Sequence, residues 1–233
     1  MITGIVVALP EEISTLTDQK IAKGTSFRIN DEFIIFCSGA GAVNARNAAE
    51  HLVQIGAKRL ISWGCAGGLN PALKPGDLIL VDHLIDAGNI SHSVDPVWHA
   101  VVKTKLDKFV NVQLGTLTES SQIVSTSAQK QILFECSGAD ILDMESLAVA
   151  KVANRIGQPF LAIRAITDPA SMDLPKAVTV SLNSEGDIVL TKLILHLCLH
   201  PYELPGLIRL GRHFNRSQNT LKRVANALLQ SNS

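Results

Sequence analysis

Short apolar runs alternate along this chain with segments whose apolar residues recur at helical spacing. Only a few protein folds are compatible with this order. Residues 2–8 and 32–37 form nearly continuous apolar runs, which are typical of strands buried on both faces. After the second run, alanine, leucine and valine recur at helical spacing over residues 45–53, and Gly56 follows as the expected C-terminal cap. Strands that alternate with helices predict an α/β fold, in which helices cover both sides of a mostly parallel central sheet to give three α/β/α layers.

The same pattern continues towards the C-terminus. A second clear helical stripe covers residues 149–156 and stops at Gly157. Further strands are predicted at residues 59–64, 77–81, 112–117, 139–142 and 160–166.

Composition narrows the class of protein. Apolar residues make up 46% of the 233 and charged residues 18%, which suits one well-packed domain over residues 1–233 and excludes a disordered chain. Lys plus Arg and Asp plus Glu both number 21, so no overall basic surface exists for a dedicated nucleic-acid binder. The four cysteines are widely spaced, which excludes a disulfide scaffold or zinc ribbon and predicts a cytoplasmic protein. The first eight residues contain no basic segment, so no secretory signal is expected.

The last part of the chain has a different character. Residues 186–233 carry six lysines and arginines against two acids, and residues 188–199 are mostly apolar. We predict that this segment is a basic and apolar helical appendage to the same domain, with helix around residues 207–216. Two interpretations stay open: a buried last helix beside a solvated cationic face, or a peripheral contact with the inner membrane face.

Acidic and glycine-rich segments follow several of the predicted strands. Glu11 and Glu12 follow the first strand, Glu145 follows the strand at 139–142, and Asp168 follows the strand at 160–166. Ligands of parallel α/β sheets bind beyond the carboxyl ends of the strands, so these carboxylates are expected to converge on one rim.

Each of these features also has a structural explanation. An acid at a helix start stabilises the helix dipole, and Asp168 before Pro169 suits a turn. The glycines at 38–41 and 64–68 could be tight connections, and Asn44 stands where a dinucleotide-binding fingerprint needs its third glycine. That departure disfavours an NAD-dependent reductase. The histidines lack metal-ligand spacing, so neither a metal nor a cofactor is predicted.

Five segments together resemble the nucleoside phosphorylase and nucleosidase superfamily, especially methylthioadenosine/S-adenosylhomocysteine nucleosidases. They occur in the family's order at residues 4–12, 63–69, 73–77, 143–146 and 164–168.

A narrower resemblance is to hopanoid-associated phosphorylases. It is carried by residues 168–170, by Leu174 with Pro175, by Pro201 and by residues 204–212. This resemblance implies cleavage of the N-glycosidic bond of a 5′-modified adenine nucleoside, with adenosylhopane as the preferred substrate. The alternatives are a methylthioadenosine/S-adenosylhomocysteine nucleosidase or a phosphate-dependent purine nucleoside phosphorylase. A nucleotide-binding regulatory module without turnover is the rival from another class.

The resemblance also assigns roles to individual residues. It implies that Asp168 protonates purine N7, that Glu12 holds or deprotonates the attacking water, and that Arg164 orients the loop carrying the acid. It implies that Glu145 accepts hydrogen bonds from the ribose hydroxyls and that Met144 packs on the sugar.

The adenine base and the nucleophile have further expected contacts. Ile123 and Val124 fall where the family places residues beside the base, and Gly39, Cys65 and Gly67 are expected to contact the substrate. Phosphorylases of this superfamily use an arginine and a Ser or Thr near the second glycine segment, where this chain has Ser62 and Cys65. Glu12 would also repel phosphate, so water is the preferred nucleophile. The resemblance further implies a homodimer.

Overall fold

The computed structural model describes residues 1–181 and 189–229 as an α/β domain. Its strands are β1 (Thr3–Val7), β2 (Ser26–Arg28), β3 (Phe33–Cys37), β4 (Arg59–Gly68), β5 (Leu78–Ile85), β6 (Ser91–Ser93), β7 (Val112–Glu119), β8 (Ile141–Asp143) and β9 (Phe160–Asp168). Its helices are α1 (Pro10–Ile13), α2 (Ala42–Gln54), α3 (Pro96–Leu106), α4 (Ser127–Ser137), α5 (Ser146–Arg155), α6 (Lys176–Ser181), α7 (Leu190–Leu199) and α8 (Leu204–Leu229), with a 3₁₀ turn at Pro201–Glu203.

The sheet is built around β1 and β4. β1 pairs in parallel with β3 and β4, with Thr3 opposite both Phe33 and Arg59. β4 also pairs in parallel with β9, and β5 and β8 each pair in parallel with β7. The predicted α/β fold with a mostly parallel sheet is therefore confirmed, since antiparallel pairing is confined to shorter ladders.

The sheet is not an open one, however, because β4 makes more pairings than an ordinary central strand. Near its end β4 meets β8 in antiparallel pairing, with Gly67 opposite Leu142. β9 runs antiparallel to β5, so β4, β9, β5, β7 and β8 form a closed ring. The prediction that residues 64–68 form a turn is wrong, because they continue β4 through a register shift between Ala66 and Gly67.

Several elements lie outside what the apolar pattern predicts. β2 and β6 are three-residue edge strands with exposed positions, so they carry no apolar run. α3 and α4 bury little, although their start signals are present in the sequence. The Asp95 side chain accepts a hydrogen bond from the Trp98 N–H, and Thr126 and Gln129 form a capping box.

Helices cover both faces of the sheet. α2 packs against α5 on one side, and the predicted α2 stripe is confirmed by Ala45, Ala48, Ala49 and Leu52, all fully buried. On the other side α8 packs against β9 and α3.

The C-terminal helices divide into an exposed part and a core part. In α7, Ile194, Leu195 and Leu199 are 60–68% exposed, so the alternative of a buried last helix is wrong, and α8 follows α7. The second half of α8 is core: Leu221 is fully buried and Ser217 donates a hydrogen bond to the Ile166 carbonyl. Of the predicted appendage, residues 186–188 and 230–233 lie outside the described residues. No helix within the described ranges is long and apolar enough to span a membrane.

The two halves of α8 give a stability prediction. Leu221→Ala should lower the free energy of unfolding by about 2–5 kcal/mol, because it opens a cavity beneath the sheet. Leu204→Ala, at a position 49% exposed on the same helix, should change it by less than about 0.5 kcal/mol. Urea denaturation followed by circular dichroism measures both. Equal losses of unfolding free energy in the two variants would contradict the division of α8 into an exposed half and a buried half.

Candidate active site

A cavity of about 330 Å³ opens at the carboxyl ends of the central strands. Its walls come from the ends of β1, β4, β8 and β9, from the segments that follow β3 and β7, and from α8. Glu12, Glu145 and Asp168 all line it. The structure therefore brings together the three carboxylates that the sequence pattern places on one rim.

Glu12 is held by backbone donors at the mouth of β1. Pro10 begins the short helix α1, and Glu12 points back so that its carboxylate accepts hydrogen bonds from the Leu9 N–H at 3.2 Å and the Cys65 N–H at 2.7 Å. Gly64 makes this approach feasible, because a Cβ there would lie 2.6 Å from Glu12 Oε1. Burial raises the pKa of Glu12, which makes it a stronger proton acceptor once ionised.

Glu145 stands at the start of α5. Its carboxylate accepts hydrogen bonds from the Gly41 N–H at 2.7 Å and the Met144 N–H at 3.2 Å, so the segments that follow β3 and β8 are joined through one side chain. Burial, reinforced by the nearby Asp143 charge, raises the pKa of Glu145 to about 7. Met144 lines the cavity beside it.

Among the described residues, Arg164 donates no hydrogen bond to the loop that carries Asp168, so the structure does not support the predicted role in orienting this loop. Its guanidinium instead donates to Asp143 at 2.7 Å, to Ser62 at 2.6 Å and to Ser146 at 2.9 Å, with almost no exposed surface. The guanidinium is thereby held among side chains of β8, β4 and α5. Its charge lowers the pKa of Glu12 and Glu145 and offsets their burial.

Asp168 lies at the end of β9 against a buried lysine. Lys130 Nζ on α4 is 2.7 Å from Asp168 Oδ2, and Gly67 leaves room for that carboxylate, since a Cβ there would lie 3.3 Å from Oδ2. Burial raises the pKa of Asp168, while the Lys130 charge acts in the opposite direction. A carboxyl group with a raised pKa can hold a proton nearer neutral pH than an exposed aspartic acid can.

The wall opposite the carboxylates is largely apolar. Ile123 and Val124, predicted beside the base, line the cavity together with Leu174 and with Phe214 from α8. This combination of an apolar wall with a few polar groups is typical of sites for small organic ligands.

Of the three residues in the glycine-rich segments that are predicted to contact substrate, two line the cavity and one does not. Cys65 and Gly67 line the cavity, whereas Gly39 does not, and the neighbouring Ala40 takes its place. Gly39 instead has a φ of +80° and faces the Lys23 side chain, so it shapes the turn. Burial raises the pKa of the Cys65 thiol, which keeps it protonated and excludes a thiolate nucleophile.

Sequence reasoning misses several residues of the site. Asp143, Ser146 and Ser62 form the polar cluster around Arg164, although the first two lie within the 143–146 segment that carries part of the family resemblance. Lys130 and Phe214 come from helices far along the chain, and only the Thr126–Gln129 start signal of α4 could have drawn attention to Lys130. No cluster of three or more metal-ligand side chains occurs within the described residues.

Comparison with known proteins identifies the superfamily. The sequence profile of the Phosphorylase superfamily matches residues 3–194. The chain belongs to the Phosphorylase superfamily. It is 28% identical over 159 residues to an aminodeoxyfutalosine nucleosidase from Campylobacter jejuni, covering 60% of this chain and 69% of that protein. It is 25% identical over 207 residues to a 5′-methylthioadenosine/S-adenosylhomocysteine nucleosidase from Marinomonas, covering 76% and 89%.

Solved structures confirm the fold of this superfamily member. A futalosine hydrolase from Helicobacter pylori superposes with a TM-score of 0.73 at 18% identity, covering 97% of this chain and 96% of that one. The predicted superfamily and the predicted enzyme class, a nucleosidase-type enzyme, are confirmed. The narrower resemblance to hopanoid-associated phosphorylases stays a prediction.

The close packing of Gly64 on Glu12 generates a test of the site. Gly64→Ala should displace the Glu12 carboxylate and lower kcat by about 10²-fold, the lower range for losing an acid–base group. Gly138→Ala is the matched control, because Gly138 also has a positive φ, of +65°, but an alanine Cβ there would meet no atom within 4 Å. Steady-state kinetics of both variants check the expectation. A similar loss of kcat in the two variants would mean that backbone strain, and not displacement of Glu12, causes the effect.

Proposed function

We propose that this enzyme hydrolyses the N-glycosidic bond of an adenine nucleoside with a modified 5′ position and releases adenine. The observation that carries the proposal is the convergence of Glu12, Glu145 and Asp168 on one cavity with an apolar wall. Glycosidic cleavage needs an acid on the leaving-group side and an activated nucleophile on the other, around a sugar with cationic character.

Asp168 acts on the purine. As the bond between C1′ and N9 breaks, its electron pair moves into the base, and the Asp168 proton passes to N7, so adenine leaves as a neutral molecule. Burial raises the pKa of Asp168, which supports this role near neutral pH. Ile123, Val124 and Phe214 supply apolar surface for the base.

Glu12 and Glu145 act on water and sugar. The ionised Glu145 accepts hydrogen bonds from the ribose hydroxyls, with Met144 beside the ring. The attacking water adds its oxygen to C1′ and gives its proton to Glu12. The developing positive charge of the sugar is stabilised by the carboxylates around it.

Water is preferred over phosphate because of the charge of the cavity. Within the described residues, Arg164 is the one cationic side chain that lines it, and its donors are already used by Asp143, Ser62 and Ser146. A phosphate dianion would therefore meet carboxylates without a cation to hold it.

Two candidate substrates differ in the group attached at the 5′ position. Adenosylhopane is the preferred one, because the apolar wall includes Leu174, and the next residue, Pro175, lies beside the apolar start of α8. A Cβ added at Gly206 there would lie 3.3 Å from Pro175 Cγ. Methylthioadenosine or S-adenosylhomocysteine is the alternative, because sequence relatives are named as nucleosidases of these compounds.

Release of adenine tests the proposal directly. The wild-type enzyme should release adenine from an adenosyl-lipid or from methylthioadenosine without phosphate, and Asp168→Asn should lower kcat by about 10³-fold because N7 loses its proton donor. Asp31→Asn, at an exposed position, is the control. Chromatography of adenine and of the sugar product, with and without phosphate, distinguishes the outcomes. Absolute dependence on phosphate would overturn the preference for hydrolysis.

A lipid-linked substrate would bring the enzyme to the inner membrane face from the cytoplasm. The α7–α8 surface is exposed throughout and is defined as Lys192, Ile194, Leu195, Leu199, Tyr202, Arg209, Arg212 and Arg216. Apolar side chains beside lysine and arginine are suited to anionic bilayers, into which the apolar groups insert while the cations contact headgroups.

Vesicle binding tests this part of the proposal. Replacing Arg209, Arg212 and Arg216 with Ser should lower the affinity for phosphatidylglycerol-containing vesicles by about 100-fold, because each cation near an anionic surface contributes roughly 1 kcal/mol. Vesicles of phosphatidylcholine alone are the control. Unchanged binding would contradict the membrane role. Sedimentation velocity of the same proteins tests the proposed homodimer, and a loss of dimer in the variant would assign the surface to a second copy.

A further inference from the structure

Lys130 is a charged side chain that the mechanism above does not use. It projects from α4 and has no exposed surface, although lysine is almost never fully buried unless it is paired. Its ammonium group contacts Asp168 Oδ2 at 2.7 Å. It also contacts three main-chain carbonyl oxygens, those of Asp168 at 3.3 Å, Pro169 at 3.0 Å and Met172 at 3.0 Å.

These contacts all fall on one short piece of chain, residues 168–172, which leaves β9 at the cavity. Pro169 and Met172 lie beyond the end of β9, which is Asp168, so their carbonyl oxygens are outside its ladder. An ammonium group with three donors is suited to such a cluster of oxygens, and burying it elsewhere would carry a large desolvation cost. The lysine therefore fixes both the carboxylate and the backbone on which that carboxylate is mounted.

We propose that Lys130 is a positioning residue for the reaction, which aims the Asp168 carboxyl group at the purine and tunes how readily it gives up its proton. The proposal rests on the acid role of Asp168 given above.

Two titratable groups face Asp168 from the elements packed around it. Lys130 faces it from α4 and His213 from α8. Burial, with the charges of Arg209 and Arg216, lowers the pKa of His213, so this ring is neutral near pH 7. The charge of Lys130 is thus the larger of the two acting on the acid. It opposes the effect of burial, which alone would raise the pKa of Asp168 further and make proton transfer to N7 harder.

The charge of Lys130 also sets the sign of the pH effect. The reaction needs protonated Asp168, so kcat falls as the pH rises through the pKa of this group in the substrate complex. Without Lys130 the pKa of Asp168 is higher, and this basic limb moves to higher pH. A side chain that merely filled space would leave the position of the limb unchanged.

The test is the kcat–pH profile of Lys130→Met, which keeps most of the volume and removes the charge. We expect the basic limb to move up by at least one pH unit, kcat at pH 7 to fall about 10- to 100-fold, and KM to change much less. Gln131→Met, next on the same helix and exposed, should keep the wild-type profile. An unmoved limb in a folded Lys130→Met protein overturns the proposal.

Folding must be checked by thermal unfolding of each variant. If Lys130→Met does not fold, Lys130→Gln replaces it, with the same expected direction of the limb, and failure of both to fold assigns a structural role and overturns the proposal. The two proposals fail separately. A wild-type enzyme that releases no adenine refutes the function, whereas an active enzyme with an unmoved limb in the variant refutes only the role of Lys130.

Discussion

The structure depends on placing several carboxylates in one largely buried cavity while keeping each of them satisfied. An unpartnered buried charge costs several kcal/mol, so every acid here needs donors of its own. Backbone N–H groups of Leu9 and Cys65 serve Glu12, and that of Gly41 serves Glu145. Side-chain cations serve the others, at Asp143 and Asp168. Each carboxylate is thus held in place by its own hydrogen-bond or ion-pair partner.

The same requirement explains why glycines occur at the end of β4. A side chain at residue 64 would occupy the position of the Glu12 carboxylate, and one at residue 67 would press on Asp168. The strand can also pair with β8 and β9 as it bends there, because its last residues are small. The glycines at the end of β4 therefore serve two purposes. They leave space for two carboxylates, and they let the strand pair on both sides where the sheet closes into a ring.

Much of this arrangement could be predicted from the sequence, since buried parallel strands appear as continuous apolar runs and their ends indicate the rim. Glu145, Asp168 and the pair of Glu11 and Glu12 follow from that pattern, and the family resemblance selects Glu12 from the pair. The contribution of the helices does not, because no local pattern reveals that α4 brings Lys130 to Asp168 or that α8 brings Phe214 to the cavity. For Arg164 the pattern indicates the correct strand but not its partners, because Asp143, Ser62 and Ser146 come from three other elements.

α8 links the stability of the domain to the entrance of its cavity. Its buried half packs on β9, and Ser217 donates to Ile166 two residues before the acid at the end of that strand. Phe214, about one turn earlier, lines the cavity, and the exposed residues of the first half continue outward from there. Substitutions in residues 204–212 can therefore alter what approaches the cavity without opening the core. In the proposed reaction, specificity for the 5′ group can change on the exposed half of α8, whose other half packs on the strand that ends at Asp168.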